Sequence, residues 1–313
     1  MSEEVPSLLY RQSLRTGAMY IIASAALFSC VGSLVKTLTQ DLPVPMVVFF
    51  RSAIGLAWLA PWLWNRRGFT LRTRRWKDHA VRGVSGILAM ALFFFALSRL
   101  PLAQAVLLNF TAPLFIPLIA RCWLGEKLSA KIFVALGVGF VGVAFVVRPA
   151  GFDIEPAMVA GLVSAVFAAI ALVGIRNLTN NEPAARVVFY FGVVSTLISL
   201  PVAVWVWVAP TPEQWMMAIA MAGLATLAQL LLTRGYASAP AGQVGYYQYS
   251  SVLFSALIGW MVWSEVPTPW AGVGALLILV AGVVASGYNL VGSGTALLEL
   301  MTRSRDRETR GAD

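Results

Sequence analysis

The sequence has few charged side chains and almost none of the residues that metal or thiol chemistry requires. Only 12% of its 313 residues are charged, whereas a soluble globular domain carries about 25%. The chain contains two cysteines, Cys30 and Cys122, and one histidine, His79. Their spacing matches neither a disulfide framework nor a metal site. We therefore expect no structural disulfide, no metal and no cofactor, and the ordinary soluble class is excluded.

Catalytic motifs are missing as well. The sequence contains no phosphate-binding loop, no H-E-x-x-H zinc motif and no serine nucleophile elbow. We therefore predict that the protein is not an enzyme and does not drive a pump with ATP.

Long apolar runs dominate what the chain does contain. Hydrophobic residues make up 59% of the sequence, and runs of roughly 20 apolar residues recur along it, as in membrane-spanning helices. A bilayer offers the backbone no water, so such runs must be helical. The first run is too long for a signal peptide. The sequence predicts an all-α membrane protein with ten transmembrane helices, at 17–38, 43–64, 79–99, 101–122, 129–148, 155–176, 184–208, 214–236, 240–263 and 267–289.

Basic residues are distributed unevenly over the predicted loops. With ten spans and an internal N-terminus, nineteen of the 23 Lys and Arg residues fall on the cytoplasmic side, including Arg82 in the block after span 2. Only Lys36, Arg99 and Arg148 fall outside. This positive-inside pattern predicts cytoplasmic termini in a bacterial-type inner membrane. The net charge of +9 then reflects orientation and contact with anionic lipids, and no nucleic-acid partner is expected.

The sequence contains an internal duplication. A shift of 139 places PLAQAVLLNFTAPLFIPLIARCWLGE (101–126) over PAGQVGYYQYSSVLFSALIGWMVWSE (240–265) without a gap. Each copy holds five spans, and because five is odd the second copy must enter the membrane inverted, as in many secondary transporters. We predict two inverted five-helix repeats around a central cavity. The predicted units are a cytoplasmic N-terminal tail 1–16, a first repeat 17–148, a second repeat 155–289 and a basic cytoplasmic tail 290–313.

These features together resemble the EamA family of the drug/metabolite transporter superfamily. The resemblance rests on the ten spans, the inverted duplication, the FFR element of span 2 and the LGEKLS turn between spans 4 and 5. Within the superfamily the chain looks most like the YddG-like amino-acid exporters. The resemblance implies a basket of helices around a central cavity, with spans 5 and 10 at the periphery. The second copy departs from the pattern, with Phe191 in place of Arg51 and Ser264-Glu265 in place of Gly-Glu.

Charged groups inside the predicted spans are rare. Arg51 is the only basic residue well inside a span. It either attracts a substrate carboxylate or snorkels to the outer surface in a structural role. All fourteen Asp and Glu residues fall in tails, loops or helix ends, which argues against cationic substrates and carboxylate-based proton coupling. Glu126 and Glu265 lie at equivalent turns, where we expect them to cap backbone donors.

Uncharged polar groups are densest in GQVGYYQYSS (242–251) of span 9. At helical spacing, one stripe holds Gln243, Tyr246 or Tyr247, and Ser250, and a second holds Gln248, Ser251 and Ser255. Such stripes either join helices or line a cavity, and we favour the cavity because one packing contact does not need two stripes. The other candidate substrate-binding residues are Gln104, Asn109, Thr111, Ser24, Phe28, Phe94 and Gln229.

The expected function is secondary transport. We predict export of small amphipathic metabolites, neutral or aromatic amino acids, by alternating access with spans 3–4 and 8–9 as paired gates. The substrate is the expected partner, and the oligomeric state is left open with the monomer favoured. Alternatives are a transporter of another neutral solute (a nucleoside, sugar conjugate or drug) or a non-transport membrane protein such as a lipid scramblase.

The span 9 assignment has a direct test. In proteoliposomes loaded with neutral amino acids, Gln243→Ala and Tyr247→Ala should impair flux, because each removes a polar or aromatic group from the predicted cavity wall. Normal flux in both variants would remove span 9 from the binding site.

Overall fold

The computed structural model describes most of the predicted spans and the turns between many of them. The described residues are 14–64, 71–124, 130–147, 155–179, 181–238 and 245–281. Glu126, Gln243 and most of both predicted tails lie outside these residues, as does the side chain of Tyr246.

The described chain is helical, with no strand among these residues. We number its α-helices α1 Leu14–Leu38, α2 Val44–Trp64, α3 Trp76–Arg99, α4 Leu102–Asn109, α5 Ala112–Leu124, α6 Ala130–Val147, α7 Pro156–Thr179, α8 Ala184–Trp205, α9 Pro212–Ser238, α10 Ser250–Trp263 and α11 Pro269–Ala281.

Six of these helices, α1, α2, α3, α7, α8 and α9, are long and apolar enough to cross a membrane. Every predicted span contains a helical segment. The count of ten crossings and the orientation of the termini remain predictions.

Span 4 is broken near its middle, where the sequence predicted one continuous helix. The chain turns at Phe110 and Thr111 between α4 and α5, and the Thr111 N–H donates to the Leu108 carbonyl at 3.1 Å, three residues back. Pro113 follows, and it has no N–H to donate to the Asn109 carbonyl. The break therefore comes from local backbone chemistry within the apolar run.

Span 9 also departs from a regular α-helix. Residues Gly245–Tyr249 form a 3₁₀ helix that leads into α10. Because a 3₁₀ helix has three residues per turn, the α-helical spacing assumed for the first predicted stripe does not hold over Gly245–Tyr249. Ser250 donates to the Tyr247 carbonyl at 2.7 Å.

Helix packing is symmetric under exchange of the two halves. The most extensive contacts join α1 to α9 and α3 to α7, and α2 packs on α8. The counterparts in the two repeats are α1 and α7, α2 and α8, and α3 and α9. Exchange of the two halves therefore converts the α1–α9 pair into the α7–α3 pair and leaves the α2–α8 pair unchanged. At the α2–α8 crossing, Gly192 lies against Leu56 of α2.

One end of the bundle is joined by a cluster that we call the Lys36 cluster: Lys36, Glu265 and the backbone of Leu100 and Leu102. Lys36 forms an ion pair with Glu265 and donates to the Leu100 carbonyl at 2.8 Å. The other oxygen of Glu265 accepts from the Leu102 N–H at 2.8 Å. Glu265 thus caps the start of α4 and ties α1, the α3–α4 turn and the turn after α10 together.

The opposite end of α3 carries a second group, the His79 cluster: Thr73, His79, Glu182 and Arg186. The His79 Nε2 lies 3.0 Å from one oxygen of Glu182, and Arg186 lies 3.4 Å from the same oxygen. Thr73 donates to the other oxygen. His79 and Glu182 are buried, and the cluster joins the start of α3 to the α7–α8 turn.

The His79 cluster shifts the protonation of Glu182. Burial alone raises the pKa of this carboxyl. Hydrogen bonds from Thr73 and His79, with the attraction of His79 and Arg186, together outweigh burial and hold the pKa below its ordinary value. Because the pKa is lower in the folded protein, the cluster stabilises the fold above the ordinary Glu value of about 4.3. That contribution is lost as the pH falls through the folded value.

We therefore expect Glu182→Gln to lower the free energy of unfolding by about 1–3 kcal/mol at neutral pH, because a buried charged hydrogen-bond acceptor is removed. The difference from the wild type should shrink as the pH falls below about 4. Thermal unfolding in detergent across pH measures both effects.

Asp78→Asn is the matched control. Asp78 pairs with Arg75, but its side chain is 33% exposed, and exposed pairs contribute about 0–1 kcal/mol. Equal destabilisation by the two variants, or a Glu182→Gln effect that persists undiminished in acid, would contradict the assignment.

Candidate functional site

A cavity of about 210 Å³ lies inside the bundle. Its described lining comes from both halves of the chain, from α1, α2, α3, α4, α5, α7, α8, α9 and the 3₁₀–α10 segment. The lining is mostly apolar and rich in phenylalanine. Its polar members are Ser24, Arg51, Arg82, Asn109, Gln229, Gln248 and Ser251.

Two arginines of this lining meet at one aromatic ring. The guanidinium carbon of Arg82 lies 4.2 Å from the Phe191 ring centroid, and that of Arg51 lies 5.0 Å from the same centroid. The two guanidinium carbons are therefore no more than 9.2 Å apart. Arginine over an aromatic face is attracted to the ring quadrupole, so Phe191 compensates part of the charge of both side chains.

Both arginines are buried, with exposures of 8% for Arg51 and 4% for Arg82. Nε and Nη1 of Arg82 are buried without an acceptor among the described residues. Two like charges at this separation repel by about 2 kcal/mol or more at an effective dielectric of about 20. No described cavity-lining residue is an Asp or Glu. The site therefore holds unbalanced positive charge and unused donors.

Gly86 makes room for this arrangement. A Cβ added at Gly86 would lie 2.1 Å from Nη1 of Arg82 and 2.7 Å from the Phe191 ring. Because Gly86 follows Arg82 by four residues, it lies on the same face of α3. Because Gly86 has no side chain, the Arg82 guanidinium can occupy the space beside the Phe191 ring.

Arg82 corrects the sequence prediction that Arg51 is the only basic residue well inside a span. Arg82 lies only three residues after the predicted start of span 3 at residue 79, so the sequence pattern groups it with the basic block on the cytoplasmic side. Helix α3 begins earlier, at Trp76, which places Arg82 about 9 Å along it. The glycine four residues after Arg82 is the sequence signal that could have indicated a guanidinium lying against the helix at Gly86.

The remaining candidate residues divide into two groups. Those that line the cavity with Arg51 are Ser24, Phe28, Phe94, Asn109, Gln229, Gln248 and Ser251. The described candidates outside its lining are Gln104, Thr111, Tyr247 and Ser250. The Gln104 amide donates to the Val146 carbonyl at 3.1 Å, and the Thr111 hydroxyl donates to the Leu108 carbonyl at 2.7 Å.

Several serines of the lining or near it also join helices. Ser24 donates to the Ala228 carbonyl of α9 at 2.8 Å. The Ser29 hydroxyl of α1 is 3.2 Å from the Ser251 hydroxyl, and Ser255 donates to the Ser29 hydroxyl at 3.0 Å. The second predicted stripe therefore faces inward, where it serves both helix packing and the cavity.

The helical fold of the described residues, the apolar helices and the cavity inside the bundle are those of a multi-pass membrane protein of the transporter class. The model of the EamA-like transporter family matches residues 15–148 and again 155–287. The chain belongs to this family.

Three relatives agree with this class. The chain is 34% identical over 275 residues to the pseudopaline exporter CntI of Pseudomonas aeruginosa, covering 87% of this chain and 96% of that protein. It is 26% identical to a riboflavin transporter of Vibrio cholerae, covering 85% and 91%. An S-adenosylmethionine uptake transporter of Rickettsia bellii is also 26% identical, covering 75% and 81%.

A solved crystal structure superposes with a TM-score of 0.63 at 21% identity, covering 87% of this chain and 97% of that chain. This likeness supports the fold. The three relatives are named for pseudopaline, riboflavin and S-adenosylmethionine, so they support the transporter class but not the YddG-like assignment in particular. The relatives are bacterial, in keeping with the predicted inner-membrane location.

The fit of Arg82 beside Gly86 can be tested by mutation. Gly86→Ala should lower the free energy of unfolding by about 1–3 kcal/mol, because the new methyl group displaces the guanidinium and the Phe191 ring. Thermal unfolding in detergent measures the loss. Gly223→Ala in α9, where an added Cβ has no neighbour within 4 Å among the described residues, should change stability by less than about 1 kcal/mol. Equal effects of the two substitutions would contradict the geometry around Arg82.

Proposed function

We propose that the protein is a secondary transporter that exports small amphipathic metabolites bearing a carboxylate, including neutral and aromatic amino acids. The observation that carries this proposal is the cavity inside the bundle in which buried Arg51 lies among aromatic side chains. Its volume of about 210 Å³ is below the roughly 300–1,000 Å³ of sites for drug-sized ligands. A small solute suits it.

The lining offers one kind of contact to each part of such a solute. Arginine binds carboxylates through charge-assisted hydrogen bonds, and Arg51 supplies that group at the cavity wall. Phe28 and Phe94 supply aromatic surface for an apolar side chain. Amides of Asn109, Gln229 and Gln248 are available to orient the remaining polar atoms, although Asn109 also donates to Ser164 at 2.8 Å.

Alternating access by two inverted five-helix repeats is the mechanism that we propose. The symmetric pairing of α1 with α9 and α3 with α7 supports it, since inverted repeats generate two related conformations around one site. The Lys36 and His79 clusters lie at opposite ends of α3, so we infer that each must open for the solute to enter or leave at its end. The predicted gates, spans 3–4 and 8–9, border the Lys36 cluster through the Leu102 N–H and Glu265.

Export, rather than uptake, is supported by the relative that is named an exporter. Other relatives are named for uptake, so direction must be measured. We propose that the protein works as a monomer with both termini in the cytoplasm.

Transport of phenylalanine in proteoliposomes tests the proposal. Arg51→Gln should lower the rate by about tenfold or more, because a charged hydrogen bond to the carboxylate is lost. Arg176→Gln, which removes an exposed charge at the end of α7, is the control and should transport normally. Vesicles loaded at different pH values reveal any proton coupling.

Full transport by Arg51→Gln would remove Arg51 from the site. Uridine and a fluorescent phospholipid, tested in the same vesicles, address the nucleoside and scramblase alternatives. Lipid scrambling without solute flux would contradict transport altogether.

A further inference from the structure

We propose that Arg51 and Arg82 form one anion site around Phe191 and that the cavity selects solutes with a net negative charge. This inference rests on the proposed transport function and narrows its substrate class. The favoured solute is an amphipathic organic anion, with more carboxylate or phosphate charge than ammonium charge and with an apolar body.

Charge balance is the first argument. Both guanidinium groups stay protonated at all physiological pH values, so the empty site carries two positive charges. A zwitterion adds one carboxylate and one ammonium, which leaves the sum unchanged and places a third cation nearby. A monoanion halves the excess and a dianion cancels it. The described lining contains no carboxylate, so the solute is the source of this balance.

Unused donors are the second argument. Nε and Nη1 of Arg82 are buried and have no acceptor among the described residues, although the side chain is only 4% exposed and lines the cavity. Buried donors without acceptors are costly, and charged donors more so. An anionic group beside Phe191 would accept from Arg82 while remaining close to Arg51.

The position of the ring is the third argument. Phe191 holds both guanidinium groups within 5.0 Å of its centroid, so they converge on one region of the cavity. Single arginines on separate walls would bind two unrelated groups. Convergence instead favours one anionic head, or two carboxylates close together in the same molecule, with the apolar body directed toward Phe28 and Phe94.

A series of four compounds with a common phenyl group tests the charge preference. Phenethylamine is a cation, phenylalanine a zwitterion, N-acetylphenylalanine a monoanion and benzylsuccinate a dianion at neutral pH. Binding to the full-length protein in nanodiscs of neutral lipid gives the dissociation constants, and counterflow in proteoliposomes gives the fluxes. We expect affinity to rise from cation to dianion, with benzylsuccinate binding about tenfold or more tightly than phenylalanine.

Variants assign that preference to Arg82. Arg82→Gln should weaken benzylsuccinate binding by about tenfold or more, and phenylalanine binding by less, because the dianion depends on both charges. Arg82→Lys keeps the charge and should retain the preference for anions. Arg176→Gln should bind all four compounds as the wild type does. Thermal unfolding of each variant confirms that the compared proteins are folded.

An anionic lipid headgroup carries the same chemistry, so binding is repeated with phosphatidylglycerol in the nanodiscs. Displacement of benzylsuccinate by this lipid, with no flux of any compound, would identify a lipid site and overturn the proposal.

The remaining outcomes separate this inference from the proposed function. Phenylalanine binding and flux that equal or exceed those of benzylsuccinate would overturn the anion preference and leave amino-acid transport standing. An anion preference that survives in folded Arg51→Gln and Arg82→Gln would also overturn it. Absence of binding and flux for all four compounds would contradict both proposals.

Discussion

A guanidinium group that leaves water for the interior of a membrane protein must find acceptors or counter-charge there, and the cost of failing to do so is several kcal/mol. In this protein two such groups, Arg51 and Arg82, share the ring of Phe191, and the described cavity wall offers no carboxylate. Close packing of α3 at Gly86 is what allows Arg82 to reach the ring. The charge of the cavity, the glycine beside it and the chemistry of the proposed solute all follow from this one constraint.

The internal duplication explains how one ring meets two arginines. In this part of the chain the two copies align with a shift of 140 residues, one more than the shift at 101–126, and this alignment pairs Phe191 of α8 with Arg51 of α2. These two helices pack against each other. The two equivalent positions are therefore neighbours in the structure, but they hold different residues. The first copy has the cation Arg51, and the second copy has the aromatic ring of Phe191. Arg82 from α3 adds the second cation, with no basic counterpart in α9 at Met221 or Ala222.

Features that depend on many residues could be predicted from the sequence, and features that depend on one turn could not. Apolar runs of roughly 20 residues are a strong helix signal, and helical segments occur in every predicted span. A break in a helix depends on the local conformation of one turn, so the turn at Phe110–Thr111 and the 3₁₀ segment Gly245–Tyr249 were missed. Arg82 was missed because it fell within the first turn of the predicted span 3 and was counted with the basic block, whereas the observed start at Trp76 places it deeper along the helix. Lys36 and Glu265 show the same limit, since the equivalent turns were visible but the ion pair across the bundle was not.

The most direct measurement of the central claim is an experimental density map of the protein with benzylsuccinate bound. We expect a carboxylate within hydrogen-bond distance, about 2.7–3.2 Å, of Arg82 or Arg51 beside the Phe191 ring. The phenyl group of the ligand should lie among the cavity phenylalanines. Benzylsuccinate found outside the cavity, or bound within it with both carboxylates away from the two arginines, would contradict the account.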